Sequence, residues 1–158
     1  MGTGTRPRRT DVSRRARSRG RPVLLATFGA PFDEEAAVFA VDTAVESGEP
    51  LIVANITEME PLGLSMILGY DALDEFTPEV SDSVRKPAEL AHSLGVTVER
   101  LRIRSPRPVR ALLELVDERR PGLLVFGPDR RKMKPRAYRR AVRAMKEEAG
   151  CLVWVASG

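Results

Sequence analysis

The chain is poor in the side chains that most chemistry needs: among its 158 residues are one cysteine, Cys151, one histidine, His92, and one tryptophan, Trp154. A single cysteine excludes an intrachain disulfide framework and any multi-cysteine metal site. Set in the apolar run CLVWVA, it reads as a small strand residue and not as a reactive thiol. His92 stands beside Ala91 and Leu94, and no motif places a serine or cysteine with it, so no nucleophile and base pair emerges. Asp42 and Glu46, four apart, read as exposed helix carboxylates, and Asp71, Asp74 and Glu75 lack the spacing and glycine of a calcium loop. The chain is expected not to be an enzyme.

Long apolar runs are also missing. None approaches the roughly 20 residues that span a bilayer, and VLLATFGAPF passes straight into Asp33, Glu34 and Glu35, unlike a signal peptide. The expectation is a soluble, cytoplasmic protein without membrane attachment. Its apolar fraction of 42% suits one globular domain.

Charge of one sign is absent from whole stretches. Residues 1–22 hold eight Arg and one Asp (+7), residues 23–84 hold thirteen acidic residues and no Lys or Arg (−13), and residues 85–158 hold eighteen basic and eight acidic residues (+10); 7 − 13 + 10 gives the net +4. Segregation of this size makes association sensitive to salt, and it lets the acidic and basic parts attract each other or neighbouring copies.

Residues 1–21 combine Arg with Gly, Ser, Thr and Pro around one sizeable aliphatic, Val12, and nothing there offsets the entropy of ordering. They are read as a disordered basic tail, able to bind a polyanion or simply solvated. The domain is expected over 22–158. A first strand is predicted from Val23 to Phe28, ending at Gly29. A helix from Pro31 to Gly48 follows, with Asp33, Glu34 and Glu35 in its first turn and Ala36, Ala37, Phe39, Ala40, Ala44 and Val45 as an apolar face. Leu51 to Ile56 is the second strand.

Residues 57–78 read as a loop with one short helical turn, or alternatively as a ligand lid. A helix from Pro78 to Gly95 is predicted to be kinked or divided by Pro87, with Leu90, Ala91 and Leu94 toward the core. Val96 to Ile103 alternates as a half-exposed edge strand, and Pro106 to Arg119 returns to helical spacing through Val109, Leu112, Leu113 and Val116. A fourth strand, Leu123 to Phe126, a basic helix from Lys134 to Glu148 and a fifth strand, Leu152 to Val155, complete a chain of strands joined by helices. Such alternation predicts a parallel α/β sheet with right-handed crossovers, whose ligands sit outside the strands' carboxyl ends.

ATFGAPFDEEA after the first strand, SPRPVRALLELVDERRPGLLVFGP in the middle, and the closing helix before CLVWVA together resemble the universal stress protein family over essentially all of Arg21 to Ala156. The resemblance implies a single five-stranded parallel sheet in the order 3-2-1-4-5, helices on both faces, a Rossmann-type fold like that of the adenine nucleotide alpha hydrolases, and a dimer through the last strand. Nucleotide-binding members carry G-x2-G-x9-G-[ST] after the fourth strand, so that glycine amides wrap the phosphates and a hydroxyl caps them. Here Gly127 matches the first place, while Arg130, Arg140 and Ala141 fall on the others. In the first strand Ala26, Thr27 and Gly29 match the family's ATDGS, and Phe28 replaces its aspartate.

A guanidinium side chain cannot stand where glycine lets the main chain close on a phosphate, and Phe28 cannot accept a hydrogen bond from a ribose hydroxyl. ATP as a cofactor is therefore disfavoured. Thr27, Gly29, Ile56, Gly127, Arg130, Arg139 and Arg140 are the candidate nucleotide- or anion-binding residues. In place of main-chain amides, arginine forks recognise phosphate through two hydrogen bonds at once, and Arg136, Arg140 and Arg143 share one helical face with Arg139 at its margin. Aromatic residues are only 5% of the chain, and Tyr138 alone lies in the basic run, so base stacking is not evident. The leading reading is a non-enzymatic stress-response regulator working through protein partners; the alternatives are a polyanion- or nucleic-acid-binding module and, from the fold alone, an enzyme acting on a nucleotide.

Overall fold

In the computed structural model the described residues are 20–59 and 78–156, with side chains described from Asp82 onward in the second stretch. The predicted tail and most of the 57–78 loop lie outside them. Five parallel strands form one sheet in the order β3-β2-β1-β4-β5. They are β1 (Val23–Thr27), β2 (Leu51–Glu58), β3 (Val98–Ser105), β4 (Leu123–Phe126) and β5 (Leu152–Val155). Among the described residues the helices are α1 (Glu34–Ser47), α2 (Pro78–Ser93), α3 (Pro108–Arg119) and α4 (Pro135–Glu148), with a 3-10 turn at Arg130–Lys132.

The strand sequences explain the layers. Every residue of β1 is buried, as a central strand covered on both faces demands. Alternate residues feed two cores. Val23, Leu25, Leu51, Val53 and Val125 meet Ala36, Ala40, Val41 and Ala44 of α1 and Ala88 and Ala91 of α2. Leu24, Ala26, Ile52, Ala54, Ile56, Leu124 and Phe126 meet Leu112, Leu115 and Val116 of α3 and Tyr138, Ala141 and Met145 of α4. Edge strand β3 alternates half-buried and exposed positions as its sequence predicts.

Several local expectations are corrected. α1 begins at Glu34 and not Pro31, because the Asp33 carboxylate accepts the Ala36 N–H at 3.0 Å and so caps the helix. α2 passes through Pro87 as one helix. Its buried side is Ala88 and Ala91, while Leu90 and Leu94 are 46% and 53% exposed. Small residues let α2 lie close to the sheet, and that close approach sets the helix phase against the larger leucines. Val45 is likewise exposed, and Val41 takes its place in the core. β2 runs two residues further than predicted, to Glu58, because it stays paired with β3 through Ser105. Cys151 sits half-buried just ahead of β5; burial pushes its thiol pKa up, against a smaller opposing effect of the Leu124 backbone.

Removing the α1 cap gives a direct check on this packing. Asp33→Ala is expected to lower stability by about 1 kcal/mol, read as a shift in the urea midpoint with an unchanged slope. A loss below about 0.3 kcal/mol would show that the cap contributes nothing beyond solvent.

Candidate functional site

The carboxyl ends of β2, β1 and β4 lie side by side, and these strand ends with the loops after β1 and β4 carry five of the seven predicted site residues, Arg139 and Arg140 lying on α4. The first four serve the architecture. The Thr27 hydroxyl is buried and donates to the Ala30 carbonyl at 2.8 Å, closing the turn after β1. Gly29 is exposed with φ of 68°, a left-handed conformation that glycine adopts without strain, and its N–H donates to Asn55 Oδ1 at 2.9 Å. Ile56 is fully buried in the α3–α4 core. Gly127 is held by two main-chain bonds, its N–H donating to Ala26 at 3.0 Å and its carbonyl accepting from Asp33 at 2.8 Å.

Gly127 is also where α1 comes closest to the loop. A Cβ there would lie 2.5 Å from the Cβ of Ala36, well inside van der Waals contact. The one signature glycine that survives is thus required by helix packing, independently of any phosphate.

Aromatic rings occupy the floor. Phe28 lies against Phe126 with ring centroids 5.0 Å apart, Phe126 stacks on Tyr138 at 5.9 Å, and the Arg130 guanidinium rides 4.6 Å above the Tyr138 ring. The resulting column is held by area burial, aromatic geometry and cation–π attraction. Burial raises the Tyr138 hydroxyl pKa, and the Arg130 charge opposes that shift. Beside it the Asp129 carboxylate accepts from the Arg131 N–H at 3.0 Å and pairs with its guanidinium at 3.1 Å. The Arg131 hydrogen bond is the main reason that the Asp129 pKa is lowered, burial pulling the other way. What this pair contributes is present above the ordinary carboxylate range and is lost as pH falls through the depressed value.

A groove of about 690 Å³ opens between the N-terminal turns of α3 and α4. Its cations come from two distant parts of the chain, Arg107 and Arg110 from one and Lys132, Lys134 and Arg140 from the other, and Glu58 and Glu148 line it as well. Phe28, Val109, Leu113 and Met133 supply the apolar surface between them. Of the seven predicted residues only Arg140 lines this groove. Arg139 is exposed on α4 away from it, and Ala141, in the hydroxyl place of the motif, is fully buried.

Sequence reasoning missed Asn55, Arg107 and Arg110. Asn55 was findable, being the one polar residue in the run LIVANI; it is 2% exposed, and its Nδ2 has no hydrogen-bond partner among the described residues. Arg107 and Arg110 carry no local signal, since only the crossing of α3 over the sheet brings them opposite α4. Among the described residues no group of three or more His, Cys, Asp or Glu side chains is arranged to hold a metal, and no helix is long and apolar enough to cross a membrane.

A parallel sheet in this order with helices on both faces defines a Rossmann-like α/β fold, and the groove lies outside the carboxyl ends of its strands. The family model of the universal stress protein family matches residues 20–149, and the chain belongs to that family. Solved structures share the fold. Universal stress protein UspA from Lactobacillus plantarum aligns with a TM-score of 0.65 at 14% identity, covering 87% of this chain and 98% of that one. A universal stress protein from Archaeoglobus fulgidus in complex with dAMP aligns at 0.58 and 19% identity over 87% and 98% of the two chains. One from Arabidopsis thaliana with AMP bound aligns at 0.53 and 16% identity over 85% and 89%. A search of curated protein sequences finds no significant match.

Proposed function

We propose that the chain is a regulatory universal stress protein that does not hold ATP in the family manner, forms a homodimer through β5, and works in the cytoplasm through protein partners without catalysing a reaction. What carries the first point is the occupancy of the signature places. Arg130 is stacked on Tyr138, Arg140 projects from α4 beside the groove, Ala141 is sealed in the core, and Phe28 fills the β1 end against Phe126. None of the four offers the bare main chain, hydroxyl or carboxylate that an adenosine phosphate needs there. For the dimer, β5 is an edge strand whose Leu152 is 74% exposed, an arrangement that invites pairing.

Relatives with dAMP and AMP bound make a monophosphate the necessary control. Thermal unfolding should therefore be followed with millimolar ATP and magnesium, and separately with AMP. No shift is expected with either. A ligand at a hundred times its Kd would add about 2.7 kcal/mol, or roughly 5 to 11 °C for a domain of this size. A rise of that order with ATP overturns the reading, and one with AMP alone confines the degeneracy to the outer phosphates.

A second reading, a polyanion-binding module, is favoured by the groove itself: Arg107, Arg110, Lys132, Lys134 and Arg140 face one another across it. Side-chain cations bind phosphate without demanding a fitted pocket. Gel-shift affinity for a nucleic acid should then fall steeply between low and physiological salt, and Lys134→Glu with Arg140→Glu should remove it. The absence of any shift at low salt would end this reading.

A further inference from the structure

Among the described residues the outer face of α1 is an unpartnered stripe. Glu34, Glu35, Val38, Asp42, Val45 and Glu46 are all exposed, and the spacing 35, 38, 42 and 45–46 keeps them on one side of the helix. The two valines are 47% and 40% exposed. None of these four carboxylates has an ion-pair partner among the described residues. Three basic residues elsewhere are already paired, Arg131 with Asp129 and Arg143 with Glu147 within a turn and Arg119 of α3 with Glu99 of β3.

The chain enters the domain at the foot of that stripe. The Gly20 N–H donates to both carboxylate oxygens of Glu49, at 3.1 and 3.0 Å, and Glu49 immediately follows the Gly48 cap of α1. Residues 1–19, which lie outside the described residues, carry seven Arg and one Asp. Gly20, to which they are joined, is therefore held at the end of α1 that bears Glu46, and the remaining carboxylates lie along the helix beyond it.

We propose that segment 1–19 docks along the outer face of α1 of its own chain, its arginines on Glu34, Glu35, Asp42 and Glu46. Reach is ample: α1 is about 21 Å long for its 14 residues, whereas 19 extended residues span up to roughly 65 Å. Exposed ion pairs are individually weak. Tethering supplies the rest, because a segment joined to its own site through a short linker is present there at about millimolar effective concentration. Arginine stems cover the exposed valines while their heads stay at the carboxylates. Docking of this kind holds the tail's cations away from other polyanions, and competition by such a ligand releases them. It rests on the α1 stripe and the Gly20 anchor alone, and so stands or falls separately from the groove.

The test uses the full chain. Trp154 is the only tryptophan, and its ring stacks on Phe39 of α1 at 4.4 Å, so it is a built-in donor for energy transfer to a dansyl group on the N-terminal amine. Transfer is expected to be high at low salt and to fall at least about twofold by about 0.5 M NaCl, where exposed pairs are screened. Asp42→Lys with Glu46→Lys should produce the same loss at low salt; both positions are exposed, and cations in the later turns of a helix suit its dipole. Arg14→Glu, Arg15→Glu and Arg17→Glu should do so without touching the folded domain. Combining the two sets should restore transfer. Transfer that ignores salt, or that is equal in the parent and both reversed variants, overturns the proposal. Transfer that disappears on dilution with unlabelled protein overturns it too, by assigning the contact to a second copy.

Discussion

Phe126→Ala is expected to lower the unfolding free energy by about 3–5 kcal/mol, more than any other single change considered for this chain. Phe126 is fully buried at the carboxyl end of β4 and touches Phe28 and Tyr138 on either side. Alanine removes the middle of that column and leaves a void that neither neighbour can fill without leaving its own packing. In a domain of this length the loss corresponds to a drop in Tm of roughly 6 to 20 °C. Phe126→Leu, which keeps most of the volume, should cost under about 1.5 kcal/mol. If alanine and leucine proved equally mild, the column would not be the floor that holds the β1 and β4 loops together.

The second large effect is at Gly127. Gly127→Ala is expected to cost about 1–3 kcal/mol, because the added methyl meets Ala36 at 2.5 Å while main-chain bonds to Ala26 and Asp33 keep the loop from backing away. Ala36→Gly alone should cost about 1 kcal/mol through lost helix propensity. The double variant should be more stable than the sum of the two, with a coupling of about 1 kcal/mol or more. Chemical denaturation in the absence of any nucleotide measures all three. Additive losses would mean that the clash is relieved elsewhere and that packing alone does not account for this glycine.

Gly127 also marks where sequence reasoning reached its limit. Its match to the first glycine of the phosphate-wrapping motif is visible in GLLVFGP, but motif and packing ask for the same residue. Only the distance to Ala36 separates them. The departures at Arg130, Arg140 and Ala141 were legible as departures. Their consequences were not: Arg130 lies on an aromatic ring, Arg140 lines a groove, and Ala141 is in the core. Thr27 shows the converse, matching the family's first loop while its hydroxyl is committed to Ala30.

On its own, the order of residues determined the alternation of strands and helices, the parallel sheet, the edge character of β3 and the separation of charge into acidic and basic parts. Each depends on identity or on a short periodic spacing, and hydrophobic burial reads such spacing directly. Only the tertiary structure decided which cations face each other. Arg107 and Arg110 meet Arg140 across a groove because α3 and α4 pack on the same face of the sheet. It also decided the phase of α2, where Ala88 and Ala91 turn inward and the larger Leu90 and Leu94 turn out. Shape complementarity between distant elements governs both, and a distant partner's shape leaves no trace in the local pattern.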